Sequence, residues 1–243
     1  MLRVHNAQVT LPYELRLHTE HIGAFSLAIA TLADLDRAVD DLCADYERRH
    51  AEDELERDLC PYFGVVWPAA RGLCQVLAGM ADEIAGRTFL ELGCGLALPS
   101  LLAARLGARV TASDLHPDVP LFLGRNLEIN GLAPEAIVYR ELDWRTPDGA
   151  HTYDLVVGSD ILYEAGHPEP VARALAAHVG PGGRIVLADP GRAHLQACLD
   201  GLGALGFVHE VEVVRVADET RDRAGDATTH EVFVIQSRRA GGA

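Results

Sequence analysis

The hydrophobic pattern after Thr88 alternates short apolar runs with segments of helical periodicity. The apolar runs are TFLELG, RVTASD, IVYREL, YDLVVGSD and RIVLAD, and the helical segments are PSLLAARLG, VPLFLGRNLEING and VARALAAHVG. This order is typical of right-handed βαβ units that build a parallel sheet. Pro99 suits the first turn of a helix, and Gly107 and Gly131 stand where left-handed helix ends favour glycine.

The last part of the chain contains two further strand patterns, FVHEVEVVRV and HEVFVIQS, joined by the polar stretch ADETRDRAGDATT. Two alternating runs around a polar loop predict an antiparallel hairpin at the edge of the sheet. The predicted fold class is therefore α/β, a Rossmann-like, doubly wound and mostly parallel seven-stranded sheet with an antiparallel C-terminal strand.

Residues 1–60 follow a different pattern. Apolar positions recur there at helical spacing, at Leu32, Leu35, Val39, Leu42 and Tyr46. They predict an amphipathic helix over residues 32–49 that continues through AEDELERDL until Pro61 stops it. We therefore expect a helical N-terminal extension or lid at 1–60, followed by a ligand-binding domain at 61–243.

Composition limits the possible functions. The chain has 243 residues, an apolar fraction of 49% and a net charge of −15, which fit one soluble domain with an appendage. All 21 basic residues are arginine, so a P-loop, a Schiff-base lysine and a lysine general base are excluded. The acidic balance disfavours nucleic acid as a partner and favours cationic ones.

Cysteine and histidine offer no metal site or disulfide framework. The five cysteines form no C-x-x-C pair, and we expect them to be reduced thiols. His18 and His21 form a close pair without a third ligand nearby. No apolar run approaches about 18 residues and the start lacks a signal-peptide pattern, so we expect a cytoplasmic protein without membrane contact.

A glycine turn, Glu91 to Leu96, lies between an apolar strand and a helix. Glycines at such a turn let a ligand approach the backbone at the carboxyl edge of the sheet. A dinucleotide turn needs a small third residue three positions after Gly95, where this chain has Leu98. The pattern therefore argues against a pyrophosphate.

Carboxylates follow the next two strands. Asp114 stands 19 residues after Gly95, where a carboxylate can accept from two ribose hydroxyls. Asp143 can accept from an adenine amino group, and Trp144 supplies apolar cover. These features indicate a nucleoside. The alternatives are a helix cap at Asp114, before His116 and Pro117, and a core aromatic at Trp144.

The stretch SDILYE leaves a buried strand through Asp160. A strand end at the switch point of such a sheet delivers a side chain to the ligand crevice, so we expect Asp160 to face the reacting group. Tyr163 would then line the entrance with its ring. The alternatives are a cap for the following turn at Asp160 and packing of Tyr163 against the N-terminal helix.

In this order of motifs the chain resembles the class I, seven-β-strand methyltransferases that use S-adenosylmethionine. The match covers about Pro61 to Gln236. The segment PYFGVVWPAA resembles the PYW-x-x-x-WP-x-A segment of the subgroup of lysine methyltransferases that act on the β subunit of electron-transfer flavoprotein, on valosin-containing protein and on chaperones. Phe63 replaces the usual second tryptophan of that segment, and Asp160 to Tyr163 match the subgroup's D-x-x-Y motif.

The resemblance implies the cofactor S-adenosyl-L-methionine and a protein substrate that presents a lysine. It implies catalytic roles for Asp160 and Tyr163, and cofactor contacts by Trp67, Glu91, Gly93, Gly95, Asp114, Leu115, Asp143, Trp144 and Ser159. Glu164, His167 and Arg192 are further polar candidates. Arg192 suits a carboxylate, with a surface turn as the alternative. A small-molecule N-methyltransferase, a non-catalytic cofactor-binding regulator and, more remotely, an oxidoreductase remain alternatives.

Overall fold

The computed structural model describes residues 13–49, 60–221 and 227–241. Its strands are β1 (Leu15–Ile22), β2 (Phe25–Leu32), β3 (Thr88–Leu92), β4 (Arg109–Asp114), β5 (Ile137–Glu141), β6 (Tyr153–Ser159), β7 (Val179–Asp189), β8 (Phe207–Arg221) and β9 (Ala227–Arg239). Its helices are α1 (Leu35–Arg49), α2 (Pro68–Gly79), α3 (Ala81–Ile84), α4 (Leu98–Arg105), α5 (Val119–Ile129), α6 (Pro168–His178) and α7 (His194–Ala204).

Seven strands form one sheet in the order β5-β4-β3-β6-β7-β9-β8. All pairs from β5 to β7 are parallel, and β9 runs antiparallel to both of its neighbours. The predicted fold class is confirmed. The strand order reverses between β3 and β6, so a crevice opens beyond the carboxyl ends of these strands.

The central strands are buried on both faces. Alternate residues of β3 and β6 belong to two different hydrophobic clusters: Phe89 and Leu155 join the first, and Leu90 and Val156 the second. Since side chains alternate across a strand, each cluster lies on one side of the sheet. This double burial explains why these strands read as continuous apolar runs.

The predicted helix punctuation is confirmed. Pro99 occupies the first turn of α4, and Gly107 and Gly131 follow α4 and α5 with φ of +86° and +62°. Within the described residues, no helix combines the length and the apolar character that crossing a membrane requires.

The N-terminal extension contains a β-hairpin that the sequence pattern did not predict. β1 and β2 pair antiparallel from Leu15 with Leu32 to Ile22 with Phe25, and α1 begins only at Leu35. The predicted start of that helix at Leu32 was therefore wrong, because Leu32 ends a strand. The expected continuation through AEDELERDL lies outside the described residues.

The hairpin belongs to the main body of the protein. Its buried face joins the same hydrophobic cluster as α4 and α5. Asn126 of α5, which is buried, accepts the backbone N–H of Ala30 at 2.8 Å, and Asn130 pairs with Ala28 through both backbone groups. These side-chain amides thus bond to the backbone of β2 as a neighbouring strand would, and they join β2 to α5.

The C-terminal hairpin is longer than predicted. Pairing between β8 and β9 continues to Ala217 with Thr229 and Arg221 with Ala227. Most of the expected loop ADETRDRAGDATT therefore belongs to strands. Polar residues suit this ribbon because β8 lies at the edge of the sheet.

Candidate functional site

The carboxyl ends of β3, β4, β6 and β7 meet at a cavity of about 430 Å³. Its lining includes seven residues predicted for the site, namely Trp67, Gly93, Gly95, Asp114, Trp144, Ser159 and Asp160, together with Tyr163 at its mouth. A volume of this size suits a ligand of a few hundred daltons. Among the described residues, no group of three or more potential ligand side chains is arranged to hold a metal ion.

Both glycines of the turn adopt left-handed backbone, with φ of +62° at Gly93 and +49° at Gly95. A Cβ at Gly93 would lie 2.6 Å from Cγ2 of Ile161 and 3.0 Å from the Trp144 ring. A Cβ at Gly95 would lie 3.1 Å from the backbone oxygen of Phe63. The close approach that requires glycine is thus made by the protein's own residues, while both positions still line the cavity.

Glu91 does not line this cavity. It is fully buried, and its Oε2 accepts the backbone N–H and the hydroxyl of Ser100 at 3.0 and 2.5 Å. Its Oε1 is buried without a hydrogen-bond partner, and burial raises its pKa to about 8. The side chain therefore holds the start of α4 against β3, and the structure does not support the predicted cofactor contact.

Asp114 serves both as a cap and as a cavity group. Oδ1 accepts the backbone N–H groups of Leu115 at 2.8 Å and His116 at 3.0 Å, and Oδ2 accepts that of Gly95 at 2.9 Å. Burial raises its pKa, while these three donors favour the charged form. A carboxylate has about four acceptor positions, so Oδ2 keeps one for a ligand hydroxyl.

A smaller cavity of about 60 Å³ adjoins the first and shares Asp114, Trp144 and Tyr163 with it. Leu115 and Asp143, two further residues of the predicted set, line this smaller cavity. Asp143 pairs with the Arg145 guanidinium at 2.8 Å. Burial alone would raise the pKa of Asp143, but Arg145 lowers it.

Trp144, His167 and Tyr163 form a chain of edge-to-face rings. The ring centroids lie 5.2 Å apart between Trp144 and His167, and 4.5 Å apart between His167 and Tyr163. His167 is fixed by a hydrogen bond between Nδ1 and the backbone oxygen of Ile161 at 3.1 Å. Tyr163 is 45% exposed and packs on His167, so its ring stands at the cavity mouth rather than in the core.

The segment before α2 forms another part of the wall of the first cavity. Phe63 is buried against His116, with ring centroids 4.3 Å apart, and against Phe122 at 5.1 Å. Trp67 is 37% exposed, and its Nε1 donates to the backbone oxygen of Tyr62 at 3.0 Å. The phenylalanine that replaces the expected tryptophan therefore belongs to an aromatic cluster, and Trp67 is left to face the ligand space.

Asp160 is buried and has a left-handed backbone, with φ of +63°, which is uncommon for a residue other than glycine. Its carboxylate forms an ion pair with the Arg192 guanidinium. Burial raises the pKa of Asp160, and Arg192 opposes that shift. Arg192, which was expected to hold a carboxylate or to belong to a surface turn, pairs with the carboxylates of Asp160 and Asp189 of the same chain.

A second cavity of about 530 Å³ adjoins the first. The two cavities share Val65, Val66, Trp67, Asp160 and Arg192. This cavity was not predictable from the sequence pattern, because its lining includes Arg16, His18 and Thr31 of the unpredicted hairpin. Asp160 thus stands at the junction of two cavities.

Comparison with known proteins agrees with this geometry. The lysine methyltransferase family profile matches residues 50–196, which is more than half of the chain. The electron transfer flavoprotein beta subunit lysine methyltransferase of Danio rerio is 30% identical over 138 residues, covering 56% of this chain and 52% of that protein. The histone-arginine methyltransferase METTL23 of Rattus norvegicus is 35% identical over 118 residues, covering 46% of this chain and 50% of that protein. The chain thus spans about half the length of these curated relatives.

A solved structure shows the same fold. The T. thermophilus 16S rRNA N2 G1207 methyltransferase RsmC, in complex with AdoMet and guanosine, aligns with a TM-score of 0.58 at 18% identity, covering 95% of this chain and 52% of that one. The sheet order, the cavity at its switch point and the match over residues 50–196 lead to one conclusion. This chain belongs to the lysine methyltransferase family.

Proposed function

We propose that this protein is an S-adenosylmethionine-dependent N-methyltransferase whose acceptor is a lysine side chain of another protein. The observation that carries the proposal is the position of Asp160, which is buried at the junction of two cavities and is paired with Arg192. One cavity then accommodates the cofactor, and the other side of the junction admits the acceptor.

The donor set of the first cavity, of about 430 Å³, fits a sulfonium nucleoside together with the small cavity beside it. Asp114 keeps an acceptor position for a ribose hydroxyl, and Asp143 with Leu115 and Trp144 offers a carboxylate and apolar cover for an adenine. The remaining lining near Trp67 is mostly apolar and aromatic. S-Adenosylmethionine, when bound, supplies an activated methyl group, so positioning and electrostatics are the main tasks of the protein.

The Asp160 and Arg192 pair suits an amine that must lose its proton. A lysine amine has a reference pKa of about 10.4, so its neutral form costs about 4.6 kcal/mol at pH 7. An isolated carboxylate would stabilise the ammonium form and raise that cost. Arg192 offsets the charge of Asp160, so the carboxylate orients the amine through a hydrogen bond without holding its proton strongly. Tyr163 and Trp67 line the opening through which the acceptor enters.

Lysine is favoured over other acceptors because the family and the Danio rerio relative are both described as lysine methyltransferases. Arginine is a second candidate, since METTL23 of Rattus norvegicus is described as a histone-arginine methyltransferase. The acidic charge of −15 supports a cationic protein partner. The predicted cytoplasmic location remains part of this proposal, and fractionation of cells that express the protein tests it.

The deciding experiment is incubation of the purified chain with tritiated S-adenosylmethionine and a cell lysate. Because this chain has no lysine, every labelled lysine side chain must come from an acceptor and not from self-methylation. Label at lysine supports the proposal. Label at arginine or in small metabolites would identify a different acceptor. Cofactor binding without any labelled product would support a non-catalytic regulator instead.

A substitution at the junction tests the assigned role. We expect Asp160→Asn to reduce methyl transfer about 100-fold, since misplacing a reacting group has effects of this size. It should change cofactor affinity by less than about threefold, because Asp189 still pairs with Arg192. Asp82→Asn, an exposed change on α3, is the matched control. Unchanged turnover in Asp160→Asn would remove Asp160 from the mechanism.

A further inference from the structure

Asn126 is a polar side chain of α5 that is fully buried between the glycine turn and the N-terminal hairpin. Its Oδ1 accepts the backbone N–H of Ala30 on β2 at 2.8 Å, and its Nδ2 donates to the backbone oxygen of Leu96 at 3.1 Å. Leu96 follows Gly95 in the glycine turn and lines the first cavity. One side-chain amide therefore joins the turn of the cofactor site to the hairpin.

These two bonds require an amide at residue 126. The two partners are of opposite kinds, because one is a backbone N–H and the other is a backbone C=O. Leucine offers neither a donor nor an acceptor, and an ionised aspartate offers acceptors only. A buried backbone group that loses its partner destabilises the folded state. The position is therefore specified by hydrogen bonding and not by apolar packing.

The bond to Leu96 fixes one peptide group of the turn at both ends. The oxygen of Leu96 and the N–H of Ala97 belong to the same peptide plane. That N–H donates to the backbone oxygen of Cys94 at 2.7 Å, while Asn126 holds the oxygen of the plane. Ala97 has a left-handed backbone, with φ of +60°, which is unfavourable for a residue with a Cβ. A strained turn of this kind keeps its shape only where its surroundings hold it.

Asn130, one helical turn further along α5, provides an internal comparison. Its Oδ1 accepts the N–H of Ala28 at 3.0 Å, and its Nδ2 donates to the oxygen of Ala28 and to the backbone oxygen of Asn126, both at 2.7 Å. Both asparagines thus attach the hairpin to α5. Of these two side chains, Asn126 alone bonds to the glycine turn in the described part of the chain. Attachment of the hairpin therefore does not account for the bond to Leu96.

We propose that Asn126 is a positioning residue of the cofactor site, which fixes the Leu96 peptide against the hairpin and so holds the glycine turn in the conformation that binds S-adenosylmethionine. Asn126 acts through the turn, because it lines neither the first cavity nor the small cavity beside it. Through this bond the hairpin supports the cofactor site, although none of its described residues lines the first cavity. The inference requires the cofactor but no particular acceptor, so its failure would leave the proposed acceptor untouched.

The test makes the same change at the two asparagines and measures binding of S-adenosylhomocysteine by calorimetry. The single hydroxyl of serine cannot replace both ends of the amide. We expect Asn126→Ser to bind at least about tenfold more weakly than wild type, and Asn130→Ser to stay within about threefold. Urea denaturation is run on both variants, because a purely structural role would lower the stability without changing the affinity of the folded protein.

Asn126→Asp tests the same bond by rescue. A protonated carboxyl has a donor and an acceptor, as the amide has, whereas the ionised form has no donor for the oxygen of Leu96. Burial raises the pKa of a carboxyl and favours the protonated form at low pH. At pH 6 we therefore expect Asn126→Asp to recover most of the affinity that Asn126→Ser loses. Its affinity relative to wild type should then fall at least about tenfold by pH 9.

Three results would overturn the inference: wild-type affinity in Asn126→Ser, an equal loss in Asn130→Ser, or an Asn126→Asp variant as weak at pH 6 as Asn126→Ser. Should Asn126→Ser not fold, Asn126→Asp decides alone. A relative affinity that falls from pH 6 to pH 9 then supports the inference, and one that is constant overturns it.

Discussion

The backbone N–H of Gly95 donates to Oδ2 of Asp114 at 2.9 Å and joins the turn after β3 to the end of β4. Oδ1 of the same carboxylate holds the N–H groups of Leu115 and His116. One carboxyl side chain therefore fixes two loops of the site and still offers an acceptor position to a ligand.

We expect Asp114→Asn to weaken S-adenosylmethionine binding at least about tenfold. Asparagine has the same shape but one acceptor oxygen, so one set of backbone donors loses a charged partner worth about 1.5–3 kcal/mol. Calorimetry measures the affinity, with Asp82→Asn as the control. Wild-type affinity in Asp114→Asn would contradict the assignment of this carboxylate.

Gly93 and Gly131 allow a matched comparison, because both have φ of +62° and only Gly93 has neighbours at its Cβ position. Gly131→Ala should cost about 1–2 kcal/mol for the left-handed backbone alone. Gly93→Ala should cost about 1–3 kcal/mol more, because its Cβ meets Ile161 and Trp144. Urea denaturation measures both free energies of unfolding, and equal losses would show that the contact relaxes freely.

Glu91 gives a pH dependence with a defined sign. Its folded pKa of about 8 lies above the ordinary 4.5, so the folded protein binds a proton that the unfolded chain releases. Its contribution to stability is therefore full below pH 4.5 and is lost as the pH rises through 8, at up to about 1.4 kcal/mol per pH unit. Glu91→Gln, which does not titrate, should become progressively more stable relative to wild type between pH 5 and 8. Parallel pH profiles of unfolding would refute the raised pKa.

Arg71→Met leaves Glu20 buried without its bidentate partner and should cost about 3 kcal/mol. The control is Arg125→Met, whose exposed pair with Glu128 should be worth less than about 0.5 kcal/mol. Burial alone would raise the pKa of Glu20, but His18 and Arg71 lower it to about 2. The stabilisation by this pair is therefore present above pH 4.5 and is lost as the pH falls towards 2. Chemical denaturation at pH 7 and pH 3 measures the cost of each substitution and its dependence on pH. Equal losses in the two arginine variants would show that the Glu20 pair adds nothing.

The sheet, the glycine turn and the positions of Asp114 and Trp144 were predictable because each depends on a local pattern: continuous apolar runs, positive-φ positions and strand ends. The hairpin was not predictable. Leu17 is 59% exposed whereas Glu20 is 8% exposed, so the usual rule that apolar residues mark the buried face of a strand fails for β1. The cause is the ion pair with Arg71, 51 positions away, which no local pattern reveals.

One site assignment failed. Glu91 stands in the glycine motif, but its side chain bonds to Ser100 of α4 beneath the turn. For Arg192 the sequence indicated a carboxylate but not which one, and the structure pairs it with Asp160, 32 positions earlier. In both cases the partner is a protein group that is distant in sequence, which no local pattern reveals.

The C-terminal ribbon has a consequence for local opening. Only Phe233 to Ser237 of β9 pair with β7, whereas β8 and β9 remain paired as far as Arg221 and Ala227. Amides near His230 therefore depend on a two-stranded ladder, and they should exchange with deuterium much faster than those of the five positions that are paired on both sides. Since His230 lines the second cavity, we expect that part of its wall to open by local fraying more often than the part at Asp160, which is buried.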